Sequence, residues 1–241
     1  MRTIQCTEVW GGTRDCDVSV KLAGMRGEVY SAPWHGDRDG GDIHFLSVCG
    51  MSILSKIVVA DVSGHGAETS AVSHAIHDAL VESIGAHDNT AMLGQVNESF
   101  LARQGDDFRF TTMVSMIFDT QDRSLVYAYA GHPAILRGRG GRFRRILPEE
   151  GPRGGVPLGI SGGIDYAQHR AQLEVGDVIV VYTDAFSEAR DGAGEMLGER
   201  GLARLLESAP SMEPPDLKAH VLGSLEGRID DDASLVILEV L

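Results

Sequence analysis

Short apolar and β-branched runs recur along almost the whole chain, and they constrain the fold more than any other feature. Asp17–Leu22, Glu28–Ala32, Ile43–Val48, Ile53–Ala60, Thr112–Phe118, Ser124–Ala130, Ala134–Arg137, Phe143–Ile146, Ala167–Leu173, Asp177–Tyr182 and Ala233–Val240 all have the length and composition of strands. Short turns containing Gly, Asp or Asn, such as Gly138–Gly141, join many of them and favour antiparallel pairing. Helical periodicity interrupts the series in two blocks. In the first, Glu68–Ile84 and Ala91–Gln104, an apolar stripe runs through Ala71, Ala75, Ile76, Ala79, Leu80 and Ile84. The second comprises Glu199–Glu207 and Pro215–Leu225, where Pro214-Pro215 suits a helix start. Strand runs separated by paired helices predict an α+β fold, with two stacked, mainly antiparallel sheets flanked by helix pairs. The Gly- and Pro-rich stretch Pro148–Asp165 reads as a loop within one domain, because strand patterns continue on both sides of it.

The bulk properties narrow the function. With 43% hydrophobic and 23% charged residues, the 241-residue chain can bury a core and does not resemble a disordered segment. A formal net charge of -14 argues against a nucleic-acid partner, which requires a basic face to displace counterions. The same charge fits a protein that gathers carboxylates around cations. Cys6, Cys16 and Cys49 form no CxxC pair, which disfavours both a disulfide framework and a thiolate zinc site. Met1–Val9 has no apolar signal segment, and the longest apolar stretches, such as Val178–Val181, only reach strand length. The expectation is a cytoplasmic protein with no membrane partner. Residues 1–25 are too short for a sensor module, so a single domain over 1–241 is expected, with any regulator supplied by another chain.

Four acidic positions stand where a strand meets a turn. They are Asp42 after Gly40-Gly41, Asp61 in Ala60-Asp61-Val62-Ser63-Gly64-His65-Gly66, Asp184 after Tyr182-Thr183, and the Asp230-Asp231-Asp232 run. A strand-end aspartate is held rigidly at the sheet edge, and hard cations such as Mg²⁺ and Mn²⁺ prefer such oxygen ligands. Taken singly, each is equally readable as a turn former or helix cap.

The flanking residues supply the context. The runs ADVSGHGAETSA at 60–71, GGD at 40–42, TTMVSMIFD at 111–119, LVYAYAGHPAIL at 125–136, GGVPLGI at 154–160, LEVGDVIVVYTDAFSEARDGAGEMLGERGL at 173–202 and DDASLVILEV at 231–240 stand together in one chain. Jointly they resemble the PPM family of protein phosphatase 2C-like enzymes, in its bacterial SpoIIE-type branch, and keep that family's order. The resemblance implies a four-layer α-β-β-α sandwich and two divalent cations, Mn²⁺ or Mg²⁺. It carries Asp42, Asp61, Asp184 and Asp231 over as metal carboxylates and the Val62 carbonyl as a further ligand. Asp230 leaves the last register ambiguous by one residue, with Asp231 preferred to Asp232. The activity implied is hydrolysis of phosphoserine or phosphothreonine by a water activated between the two cations. The substrate implied is a phosphoprotein such as an anti-sigma-factor antagonist, and a homodimer or regulatory partner chain is compatible with it. A pseudophosphatase and a small-molecule phosphomonoesterase remain as alternatives.

The resemblance has one departure: the third acidic motif ends in Ala185, where the family has glycine. A Cβ there is harmless only if φ is negative. His65 is positioned in sequence to protonate a leaving alkoxide, although an exposed loop residue fits better. His132 reads as a core or turn residue, and His35, Asp37 and Asp39 read as solvated loop residues.

Overall fold

The computed structural model describes residues 1–49, 52–64, 67–83, 88–103, 109–149, 154–192 and 194–241. His65, and the expected helix ends at Ile84 and Gln104, lie outside the described residues. The strands are β1 (Arg2–Thr3), β2 (Val9–Gly12), β3 (Cys16–Leu22), β4 (Met25–Ala32), β5 (Asp42–Cys49), β6 (Leu54–Val62), β7 (Thr111–Asp119), β8 (Ser124–Ala130), β9 (Leu136–Arg139), β10 (Arg142–Arg145), β11 (Gln168–Gln172), β12 (Val178–Tyr182) and β13 (Ala233–Val240). The helices are α1 (Ala67–Glu82), α2 (Asn89–Arg103), α3 (Asp184–Glu188), α4 (Gly198–Glu207) and α5 (Pro214–Ser224).

Two sheets result. One has the order β1-β3-β4-β13-β12-β9-β10 and the other β11-β8-β7-β6-β5-β2. Every named pairing is antiparallel except β1 with β3. The strand alternation separates three apolar clusters. Leu46, Val59, Val114 and Tyr127 of the second sheet meet Val29, Val181 and Val236 of the first. The outer face of the second sheet packs Phe45, Val58 and Met113 against Ile76, Leu80, Leu93 and Phe100 of α1 and α2. The outer face of the first packs Val180, Leu235 and Ile237 against Leu202, Leu206, Leu217 and Val221 of α4 and α5. Period-2 strands with two apolar faces thus give the α-β-β-α layering expected from the sequence.

Several details differ from the sequence reading. The edge strands β1 and β2 and the short helix α3 were not anticipated, because two to five residues carry too little periodicity to register. Ala71 is exposed, and the buried face of α1 instead includes Thr69 and Ser73 together with Ile76, Ala79 and Leu80. Ser73 stands on that face because it binds the loop beneath it, as described below, and the Thr69 hydroxyl accepts from Arg109 Nη1 at 3.1 Å. Asp39 is a hub and not a solvated residue: Thr13 Oγ1, Arg14 Nε and His74 Nε2 reach its Oδ1 at 3.2, 3.0 and 3.3 Å. His35 and Asp37 are exposed as expected, and His132 is buried.

In the middle of the first sheet, β4 passes β13 at Gly27 with no room for a side chain. A Cβ at Gly27 would fall 1.8 Å from the Ile237 carbonyl oxygen. Gly27→Ala should therefore cost about 3 kcal/mol, the upper end for overpacking because the obstacle is backbone. Calorimetry should show the melting temperature falling by roughly 6–12 °C; an unchanged value would mean that the two strands part freely there.

Candidate metal centre

The acidic residues meet at one end of the sandwich, where the two sheets come together. Asp42 opens β5, and Asp61 lies directly across from it on β6. Thr112 of β7 is the partner of Asp61 on its other side. From the opposite sheet, β12 ends at Tyr182 and α3 begins at Asp184, while Asp231 and Asp232 immediately precede β13. A strand end fixes the position of each carboxylate, and the two-sheet packing brings all of them to one edge.

Thr183 joins the sheets. It is fully buried, and its hydroxyl donates to Asp42 Oδ2 at 2.8 Å while accepting from the Ser234 amide at 2.9 Å. Asp232 anchors the neighbouring loop. Its Oδ1 accepts from the Trp34 amide and its Oδ2 from the Gly41 amide, both at 2.7 Å. Both of its oxygens are thus engaged in holding the segment that leads to Asp42. Asp231 is exposed, and its Oδ1 accepts from the Asp232 amide at 2.8 Å. Sequence reasoning missed the roles of Thr183 and Asp232, although both adjoin the acidic motifs.

Helix α1 also holds that loop. Ser70 Oγ donates to the Asp39 carbonyl at 2.7 Å and Ser73 Oγ to the Gly40 carbonyl at 2.8 Å. Gly41 leaves no space for a larger residue: a Cβ would lie 2.7 Å from Thr69 Cγ2, 3.1 Å from the Val62 carbonyl oxygen and 3.2 Å from Asp232 Oδ2. The Val62 carbonyl therefore lies at the same edge as Asp42 and Asp232.

The electrostatics are those of crowded like charges in a poorly solvated place. Burial, and then the neighbouring Asp61, hold the Asp42 carboxyl well above the usual range, against the opposing Thr183 hydrogen bond. Asp61 is pushed the same way by burial and then by Asp184, Asp231, Asp232 and Glu188. Burial, Glu188 and Asp231 raise Asp184 to about 6. Glu188, one turn after Asp184 on α3, is a further acidic neighbour that the sequence reading did not single out. Asp42 Oδ1 is buried and has no hydrogen-bond partner among the described residues.

The donor set can be compared with what cations require. Among the described residues, no group of three or more His, Cys, Asp or Glu side chains stands close enough to enclose an ion by itself. The arrangement is an open set of oxygen donors. It suits Mg²⁺ or Mn²⁺, which retain several waters, better than zinc, which draws its ligands from thiolates and imidazoles as well. The partnerless Asp42 oxygen and the uncompensated negative charge fit a bound cation. Ala185 does not disturb the site: it lies inside α3, is not among the residues with positive φ, and packs its methyl group into the cluster beneath α4 and α5. A cavity of about 870 Å³ flanks the centre, with Asp231, Asp230, Ala185, Glu188, Arg190 and Arg228 on its walls.

The family described as Stage II sporulation protein E matches residues 55–241. This chain belongs to the SpoIIE family. The matched span contains Asp61, Asp184 and Asp231, while Asp42 precedes it. The chain is similar to phosphoserine phosphatase RsbU of Bacillus subtilis (strain 168), at 28% identity over 194 residues, covering 76% of this chain and 55% of RsbU. It thus spans about half the length of that relative. Among solved structures, the RsbU and RsbW domains of Rv1364c from Mycobacterium tuberculosis superpose with a TM-score of 0.75 at 26% identity, over 92% of this chain and 62% of that one. The PP2C phosphatase domain of SpoIIE from Bacillus subtilis, solved with a fragment of its regulatory domain, gives a TM-score of 0.73 at 19% identity, over 98% and 64%. RsbX in complex with magnesium gives 0.70 at 18%, over 94% and 100%. The last two share the fold with this SpoIIE-family chain.

The like-charge crowding has a measurable sign. A carboxyl whose folded pKa is raised removes stability as pH rises from its unfolded value through its folded one, here from about 4 to about 6 for Asp184. In chelator at pH 7, Asp184→Asn should be more stable than the parent, by at most about 3 kcal/mol. The advantage should vanish near pH 4; thermal melts giving a less stable variant at pH 7 would contradict the repulsion. Thr183→Val should act oppositely, losing about 1–3 kcal/mol as the Asp42 oxygen and the Ser234 amide lose their partner, with Thr183→Ser restoring most of it in denaturant titrations.

Proposed function

We propose that this SpoIIE-family chain is a metal-dependent protein serine/threonine phosphatase. The observation that carries the reading is the crowding of Asp42, Asp61, Asp184 and Asp231 at one sheet junction, with a buried Asp42 oxygen left without a partner. In this reading those four carboxylates and the Val62 carbonyl hold two divalent cations, Mn²⁺ or Mg²⁺. When bound, the cations neutralise the phosphoryl oxygens and acidify the attacking water.

The remaining contributions come from the chain. Asp61 and Asp184 hold the charge that attracts the cations, and their raised affinity for protons makes cation binding compete with protonation. Thr183 and Asp232 keep Asp42 and its loop in place, which limits reorganisation during the reaction. Asp231 is preferred to Asp232 as the ligand because both oxygens of Asp232 already accept backbone amides. The flanking cavity gives a phosphorylated segment room to approach from the Asp231 side. The negative φ of Ala185, which a Cβ tolerates, supports the active reading over a pseudophosphatase.

By the chain's similarity to RsbU, a phosphoserine phosphatase, the substrate proposed is a phosphoserine protein. An anti-sigma-factor antagonist in a partner-switching pathway fits that class, as does control by a regulatory partner chain. Among the described residues, no helix is long and apolar enough to cross a membrane, in keeping with the cytoplasmic location proposed.

The test is hydrolysis of p-nitrophenyl phosphate and of a phosphoserine peptide, with Mn²⁺, with Mg²⁺ and with chelator. Turnover should require the metal and fall by at least about 100-fold in Asp61→Asn and Asp184→Asn, the scale for losing a group that stabilises transition-state charge. Asp231→Asn should be as severe in activity without loss of folding, while Asp232→Asn should chiefly lower the melting temperature. Metal-independent turnover, or full activity in Asp184→Asn, would overturn the reading.

A further inference from the structure

The hairpin of β9 and β10 carries a concentration of positive charge that the carboxylate centre does not use. Its register places Arg142 directly opposite Arg139 and Arg144 directly opposite Arg137. Gly138 and Phe143 occupy the other face, where the Phe143 ring lies against Gly138 beneath α4. Strand alternation therefore sends all four guanidinium groups to one face. They line a cavity of about 270 Å³.

Like charges directly across a strand pair destabilise the pairing. Part of this is relieved within the chain. Asp177 binds Arg139 with both carboxylate oxygens at 2.6 Å, Glu174 adds a third contact at 2.6 Å, and Glu207 lies 3.6 Å from Arg142. No carboxylate among the described residues lies within ion-pair distance of Arg137 or Arg144. Arg144 is exposed, and among the described residues Arg137 reaches only the Gln172 carbonyl, at 3.5 Å. This unrelieved pair stands on a chain with 35 acidic and 21 basic residues.

We propose that Arg137 and Arg144, flanked by Arg139 and Arg142, form a docking face for a carboxylate-rich segment of a partner protein. Arginine matches this chemistry because its planar fork binds a carboxylate through two parallel hydrogen bonds. A short protein segment fits better than a polyanion. The two open guanidinium groups are cross-strand neighbours about 5 Å apart at the backbone, the reach of two nearby carboxylates. A duplex or an anionic membrane needs a longer basic stripe, and here Glu174, Asp177 and Glu207 border the patch. The face lies on the edge hairpin of the first sheet, away from the aspartates, so a partner held there leaves the carboxylate centre open. The proposal is independent of the phosphatase reading, because docking is measured without turnover.

The probe is a fluorescein-labelled decaglutamate peptide followed by anisotropy, with a labelled 12-base-pair duplex and phosphatidylserine-containing vesicles as competing arms. The parent chain should bind the peptide in a salt-sensitive manner, and the Arg137→Glu/Arg144→Glu variant should bind it at least about tenfold more weakly, a loss of about 1.4 kcal/mol. An Arg103→Glu/Arg170→Glu variant makes the same change in net charge elsewhere and should stay within about twofold of the parent. Arg144→Ala should weaken binding while keeping or raising the melting temperature, which a merely structural arginine would lower. Equal losses in the two charge-reversal variants, no peptide binding by the parent, or tighter binding of the duplex or vesicles than of the peptide would overturn the proposal.

Discussion

The structure depends on a buried hydroxyl at the seam between its two sheets. Thr183 accepts from the Ser234 amide on one side and donates to Asp42 on the other, fully buried in both directions. Neither sheet supplies the carboxylate centre alone. The second sheet brings Asp42 and Asp61, and the first brings Asp184, Asp231 and Asp232. Sheets packed through apolar side chains can slide by fractions of an ångström at little cost, whereas a buried hydrogen bond between their ends resists that motion because breaking it strands polar atoms. A weakly directional core and strongly directional links, Thr183 to Asp42 and Asp232 to the Gly41 amide, thus complement each other, the core supplying stability and the links supplying registry.

Against that order stands the cost of the carboxylates. Burial and mutual repulsion raise Asp42, Asp61 and Asp184 together, so the centre is the place where this fold gives up stability. The glycines show the same priority. At Gly41 the backbone, Thr69, Val62 and Asp232 close so tightly that only a hydrogen atom fits. Asp232 shows how two adjacent aspartates acquire different roles: one is buried and saturated by backbone amides, while its neighbour Asp231 is exposed at the edge of a cavity.

Much of this was legible in the sequence because strand periodicity and strand-end aspartates are local patterns. The long strands β5, β6, β7, β8 and β13 lie within a residue or two of their expected spans, and Asp42 and Asp61 stand at strand ends as expected, facing each other across β5 and β6. What escaped was non-local or too short. Val9–Gly12 carries two glycines and becomes a strand only because β5 offers it an edge. Asp39 looked solvated because the residues that bind it, Thr13, Arg14 and His74, come from distant segments. Ser73 interrupts an apolar stripe, and its partners, the Gly40 and Ser70 carbonyls, explain its burial. The roles that Asp232 and Thr183 take, holding the loop and the first carboxylate of β5, depend on partners from the other sheet that no spacing rule reveals.

The contacts from Ser70, Ser73 and His74 to Asp39 and Gly40 have a mechanical consequence. They clip the outermost layer of the sandwich to the segment that ends, two to three residues later, in Asp42. Helix α1 and that segment form one lever. A displacement of the helix is delivered to the start of β5 through these hydrogen bonds as well as through the apolar layer beneath the helix. The surface of α1 is therefore a handle on the innermost carboxylate of the centre.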